Sequence, residues 1–172
     1  MRPFTRNRLC GLLRGGFTVA SDGLLEALLD PRTRLATSTP GSDPAGDYAW
    51  LLFGRADALR PGAREQLSRK ALQLVGGPRS APTPPGRSAY AHWMAEGAAD
   101  VFLTYCTNAV IARRELPALG IVEAPESLGV EATYGVALMR GASFAGVALR
   151  DFLLAPAAQE ILVDQGFARM RP

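Results

Sequence analysis

Lysine is almost missing from this sequence, since of 19 basic residues only Lys70 is not an arginine. The arginines stand scattered or terminal, at Arg2, Arg6, Arg8, Arg14, Arg32, Arg34, Arg113, Arg114, Arg169 and Arg171 among others. No basic stripe with interleaved aromatics forms, so the net charge of +3 does not point to nucleic acid. Histidine occurs once, at His92, and cysteine twice, at Cys10 and Cys106, without a C-x-x-C pair. Side chains of those types cannot complete a zinc set, so no metal ligands are assigned and no cofactor is expected. His92 sits within a helix-like stretch and neither cysteine has a base in view, so no catalytic residues are assigned and the protein is not read as an enzyme. No apolar run approaches the roughly 18 residues of a membrane-spanning helix. The opening stretch MRPFTRNRLCGLLRGG is basic, but its apolar part is short and broken by Arg14, so it does not read as an export signal.

What is present is a chain of 172 residues, 48% of them hydrophobic, enough for one globular domain or two small lobes. Strand-like and helix-like segments alternate. RLCGLL is strand-like, and SDGLLEALLD follows as a helix with Ser21 or Asp22 as its cap. TRLATS is a short strand, a helix restarts over Ala45 to Phe53, and PGAREQLSRKALQLV reads as another helix. GGPRSAPTPPG is a loop with four prolines. RSAYAHWMAEG then reads as helix, ADVFLTY as a buried strand, and TNAVIARRE as a helix capped by Thr107. LGIVEAP and ATYGVALM are strands, followed by a helical pair divided at Pro156. This order predicts an α/β fold of three αβα layers around a mixed, mostly parallel sheet.

One stretch carries the functional expectation. TSTPGSDPAGDYAW lies after the strand TRLATS and before a helix, and ligands of open α/β sheets bind at such strand ends. A helix N-terminus offers unpaired N–H donors and a partial positive charge, which suits an oxyanion. Gly46, lacking a Cβ, would let a ligand come close to the backbone. Tyr105 ends a second strand that would share the same sheet edge, with its hydroxyl able to donate. Both cysteines lie in apolar strand-like contexts, and they read either as buried thiols or as a disulfide between neighbouring strands, which needs an oxidising compartment.

The stretches LATSTPGSDPAGDYA, ADVFLTYCTNAV, ATYGVALMRGA and FLLAPAAQEILVDQGF resemble, in order, the molybdate-binding periplasmic proteins of bacterial ABC transporters. The resemblance implies the type II periplasmic-binding-protein fold, with molybdate or tungstate held between two lobes by neutral donors. Those donors are the backbone N–H groups of Ala45 and Gly46, those near Arg87 and Ser88, and the Tyr105 hydroxyl, with Pro44 and Thr39 as further contributors. It also implies an ABC transporter permease as partner and a periplasmic or other extracytoplasmic location.

By the resemblance, residues 1–14 form a hinge strand, 15–134 the second lobe, and 135–172 a return into the first lobe, whose opening strands and two ligand serines are absent. A half-site of that kind is expected to bind molybdate weakly and to leave apolar surface open to self-association. Asp43 and Asp47 depart from a neutral site; Asp47 reads as a first-turn acid favouring the helix dipole. The alternative function is a cytoplasmic ligand-sensing domain of the same fold that binds another small anion.

Overall fold

The computed structural model describes residues 1–170 and orders them as β1 (Arg2–Leu13), α1 (Leu24–Leu29), β2 (Leu35–Ser38), α2 (Pro44–Leu59), α3 (Ala63–Lys70), β3 (Leu72–Val75), α4 (Ala89–Ala95), β4 (Val101–Tyr105), α5 (Cys106–Glu115), β5 (Gly120–Glu123), β6 (Glu131–Val136), α6 (Phe144–Leu154) and α7 (Pro156–Asp164). The sheet runs β3-β2-β4-β1-β5, with β6 paired to β1. β2 pairs parallel with β3 and β4, while β1 is antiparallel to β4, β5 and β6. The sheet is mixed, as the alternation predicts, but not mostly parallel. β1 runs against the other five strands and takes three of the five pairings, so antiparallel pairings outnumber parallel ones.

Successive residues of a strand point to opposite faces, and here both faces are covered. Leu9, Leu13, Leu35, Val101 and Leu103 pack under α1, α2 and α3, against Leu28, Leu52, Phe53 and Leu67. Their alternates Cys10, Leu12, Ala36 and Phe102 pack under α4 and α5, against Met94, Ala109 and Ala112. Near-continuous apolar runs such as VFLTY follow from burial on two sides.

Three local expectations are corrected. α1 begins at Leu24 with Gly23 at its cap and no side-chain cap, so neither Ser21 nor Asp22 serves there; the Ser21 hydroxyl donates to the Glu123 carbonyl at 2.8 Å. The helix read through Val75 stops at Lys70, and LQLV becomes β3 because β2 offers a parallel partner, Ala36 opposite Leu72. Tyr105, not Thr107, holds the cap position of α5, and the Thr107 hydroxyl accepts from Asn7 Nδ2 at 2.9 Å.

Asp100 ties together the start of β2, the end of β1 and the start of β4. Buried at 6% exposure, it accepts from the Arg34 backbone N–H at 2.9 Å, from Arg34 Nη2 at 2.9 Å and from Arg14 Nε at 2.8 Å. Hydrogen bonds from Arg34 hold its carboxyl well below the usual carboxylate range. A depressed folded pKa gives stability that is full above the unfolded value of about 3.9 and is lost as pH falls through the folded one. Asp100→Asn is therefore expected to cost about 1.5–3 kcal/mol at neutral pH. Urea unfolding should show the gap to wild type narrowing below about pH 4.

The first half of β1 has other neighbours. Arg2 to Arg8 pair with β6, and Arg6 bridges to Ala168 across the other edge. Arg6 and Arg8 keep their charges satisfied by Glu131 and Glu123, at 2.7 and 2.5 Å. α6 buries no residue, and Phe144, Leu149 and Phe152 on it are exposed, as is Ile161 on α7.

Candidate functional site

The parallel register of β2 and β4 sets Thr37 opposite Leu103, and two residues further along the two chains come Thr39 and Tyr105. β3 ends beside them, its Val75 carbonyl accepting from the Thr39 N–H at 2.8 Å. Three strand ends thus share one edge, and the turn Pro40–Ser42 leads from it into α2.

α2 starts as its sequence dictates. Asp43 is extended and caps the helix, with Pro44 in the first turn where its missing N–H is no loss. The Asp43 Oδ1 accepts from the Ala45 N–H at 2.8 Å, and the Gly46 N–H donates to the Asp43 carbonyl at 2.9 Å. The donor that the resemblance assigns to a ligand is therefore held by the protein's own carboxylate. Asp47 accepts from the Gly41 N–H at 2.6 Å. Gly46 has a packing reason, since a Cβ there would lie 2.6 Å from the Ser38 carbonyl oxygen. What comes close to its backbone is the loop after β2.

Tyr105 is half-buried at the end of β4, and among the described residues its hydroxyl has no hydrogen-bond partner. Burial chiefly, then Tyr134, Tyr48, Asp43 and Asp47 nearby, push its pKa well above the ordinary tyrosine value. It stays a neutral donor. The Tyr48 ring, from the first turns of α2, lies 5.6 Å from it. Tyr134 comes from β6 and packs edge-on against Phe167 at 5.9 Å.

Beneath this edge lies a polar layer that the sequence reading missed. Tyr90 of α4 is buried, with its hydroxyl 3.1 Å from Ser38 Oγ, and Asn108 Nδ2 donates to Thr104 Oγ1 at 3.1 Å. Burial raises the Tyr90 pKa, while hydrogen bonds with Ser38, Thr104 and Asn108 oppose the rise. The available signal was the hydroxyl residue near the carboxyl end of each apolar strand, in LATS and FLTY. Gly76 and Gly77 were read as loop and also belong here: they lie against Asp43 and Thr39, where any side chain would collide.

The structure brings Thr39, Pro44, Ala45, Gly46 and Tyr105 to one place. Arg87 and Ser88 are held differently. The Ser88 N–H donates to Glu115 Oε2 at 2.8 Å, Arg87 Nε donates to Glu115 Oε1 at 2.6 Å, and the Arg87 N–H turns back to the Pro84 carbonyl at 3.3 Å. The Ser88 N–H and then Arg87 lower the Glu115 pKa. That carboxylate ends α5, at the opposite end of the helix from Tyr105. Both backbone donors there have partners already.

Cys10 and Cys106 form a disulfide with Cα atoms 4.9 Å apart, joining β1 to the first residue of α5 and so to the neighbour of Tyr105. Among the described residues no group of three His, Cys, Asp or Glu side chains is placed to hold a metal. A cavity of about 510 Å³ lies beside β1 and β5, lined by Arg8, Arg55, Glu123 and Glu131. Arg8 is engaged there by Glu123, and none of the predicted site residues lines it.

The geometry can be set beside known proteins. Residues 1–168 match the family described as bacterial extracellular solute-binding protein. A relative in Pasteurella multocida (strain Pm70), named uncharacterized protein PM1146, is 34% identical over 170 residues, covering 96% of this chain and 68% of its own. A structure named as the substrate-binding domain of a molybdenum ABC transporter from Clostridium difficile superimposes at a TM-score of 0.73 and 19% identity, covering 99% of this chain and 66% of the other. PEB3 with L-phospholactate bound, a protein of Campylobacter jejuni, reaches a TM-score of 0.70 at 16% identity, covering 98% of this chain and 68% of the other. At these identities the structural likeness shows the α/β fold, and the chain spans about two thirds of each relative's length. On the match of residues 1–168, the chain belongs to the bacterial extracellular solute-binding proteins, a family of binding proteins rather than enzymes.

Proposed function

We propose that this chain is the solute-binding component of an ABC transporter and that its solute is a small oxyanion held at the edge where α2 begins and β4 ends. The observation that carries this reading is the unpartnered Tyr105 hydroxyl at the end of β4, whose ring lies 5.6 Å from that of Tyr48 in the first turns of the 16-residue helix α2. The helix adds the positive end of its dipole there, while its own Ala45 and Gly46 N–H groups are taken up by Asp43. Uncharged donors in fixed geometry hold an anion without a competing full charge, and they release it when the lobes part. In its finer form the proposal names molybdate or tungstate, supported by the motif resemblance and by the name of the Clostridium difficile structure. The PEB3 complex supports a phosphorylated ligand instead, and the Asp43 carboxylate beside the site weighs against a bare dianion.

An extracytoplasmic location fits both the family description and the disulfide, which a reducing cytosol would not maintain. The same bridge weighs against the cytoplasmic sensor reading. Titration calorimetry with molybdate, tungstate, sulfate and phosphate tests the oxyanion class directly. Tyr105→Phe removes one hydrogen bond to a charged acceptor, which contributes about 1.5–3 kcal/mol, so affinity should fall roughly ten- to a hundredfold with unchanged thermal unfolding. An unchanged dissociation constant would place the Tyr105 hydroxyl outside the site.

A further inference from the structure

α6 turns its apolar side outwards. It starts after Ser143, whose hydroxyl oxygen accepts from the Gly146 N–H, and none of its 11 residues is buried. At about 100° per residue, Phe144, Ala145, Ala148, Leu149 and Phe152 fall within one arc of about 140°, and all of them are exposed. Phe144 is 88% exposed, Leu149 58% and Phe152 50%. A surface helix keeps its charged residues on that side, and an apolar outer face marks a docking surface. The only charges on α6, Arg150 and Asp151, are paired with each other at 2.7 Å. The face therefore has no net charge to offer an acidic or basic partner. It also lacks the lysines and arginines that seat an amphipathic helix on a lipid surface.

We infer that this face pairs with the same face of a second copy of the chain, two α6 helices packing antiparallel about a two-fold axis at Ala148. The spacing selects the occupant. Phe144 and Phe152 are equally far from Ala148 in sequence, so a two-fold there sets each of them against the other one on the second copy, roughly 6 Å along the helix from the axis. The small side chains of Ala145 and Ala148 let the two helices approach to the short end of the roughly 8–10 Å at which helices pack. Identical neutral faces meet without repulsion. With Met139 in the loop before α6 and Ile161 on the adjoining α7, the apolar side-chain surface exposed in this part of the chain comes to roughly 600 Å². A partner in a standard interface contributes about 800 Å², so the patch is of the size a stable dimer needs. The pairing is independent of which solute the chain binds.

Sedimentation velocity and light scattering on the 172-residue chain test this. Wild type at micromolar concentration is expected at twice the mass of one chain, with nothing larger, because a two-fold contact closes. Phe144→Asp places a carboxylate in the first turn of α6, where the helix dipole favours it, and on the pairing face, where it would be desolvated. Its dimer dissociation constant should rise a hundredfold or more, while circular dichroism shows the chain still folded. Ala148→Cys adds a direct readout, since the two native cysteines are bridged to each other. Under mild oxidation it should cross-link two copies, whereas Ala157→Cys, exposed on α7, should not. A monomeric wild type would overturn the inference, and its sedimentation with vesicles of phosphatidylcholine and phosphatidylglycerol would give the face to lipid instead. A dimer that Phe144→Asp leaves intact, open-ended oligomers, or equal cross-linking through Ala157→Cys would also overturn it, by placing the contact elsewhere.

Discussion

Replacing Cys10 and Cys106 together with alanine is expected to lower the unfolding free energy by about 2–5 kcal/mol. The bridge closes a segment of 96 residues, and a cross-link of that span restricts the unfolded chain far more than the folded one. Both cysteines are also buried in the core beneath α4 and α5. Alanine keeps most of that packing, so the greater part of the loss reports the cross-link. Urea unfolding of oxidised wild type, reduced wild type and the double variant separates the contributions: the last two should unfold together, well before the first. Coincidence of all three curves would show that the bridge adds nothing. The position matters for binding as well. β1 crosses from its β6 partner to its β4 and β5 partners, and the bridge fastens that crossing to the residue after Tyr105.

The disulfide shows what kind of information the sequence holds. Two cysteines in apolar strand-like contexts are compatible with paired or separate burial, and only the register decides. Cys10 faces Thr104 across the ladder, two residues short of Cys106, and a register shifted by one residue would turn Cys10 to the other face of the sheet. The start of α2 was legible for the opposite reason, being local, and the helix was read from Ala45. Asp43 was read only as a departure from a neutral site, although the Asp-Pro-Ala-Gly run holds the cap signal within four residues.

β3 fell between these cases. Its leucines at 72 and 74 continue the apolar pattern of the preceding helix, and the pairing that makes them a strand comes from β2, more than thirty residues upstream. The first half of β1 was hidden by its charges, because Arg6 and Arg8 look like surface residues until Glu131 and Glu123 are brought to them.

The candidate site divides along the same line. Thr39, Pro44, Ala45, Gly46 and Tyr105 were each placed by a strand end or a helix start next to it in sequence, and the parallel register of β2 and β4 gathers them. Ser38, Tyr90, Thr104 and Asn108 meet only through packing of α4 onto the sheet. The two carboxylates that hold backbone donors differ in the same way. Asp43 sits beside its donor in sequence, whereas Glu115 reaches Ser88 across 27 positions.

Gly46→Val is expected to cost about 3 kcal/mol or more, at the upper end of what overpacking usually costs. A Cβ at this position would lie 2.6 Å from both the Ser38 carbonyl oxygen and the Thr39 carbonyl carbon, and 2.7 Å from the Pro40 nitrogen. All three are main-chain atoms, so no side-chain rotamer relieves the contact. The start of α2 must instead move off the end of β2, pulling Ala45 and Ala49 away from a core in which both are fully buried. Gly46→Ala meets the same collision, offset by the roughly 0.5–1 kcal/mol that alanine contributes over glycine within a helix, so its loss should be smaller. Either variant displaces Thr39 and Pro40 and would weaken ligand binding without touching a ligand. Stability therefore has to be measured first, by urea unfolding without any anion present. If Gly46→Val proves as stable as wild type while oxyanion binding is lost, the glycine serves the ligand and not the loop after β2, and the packing account of this position fails.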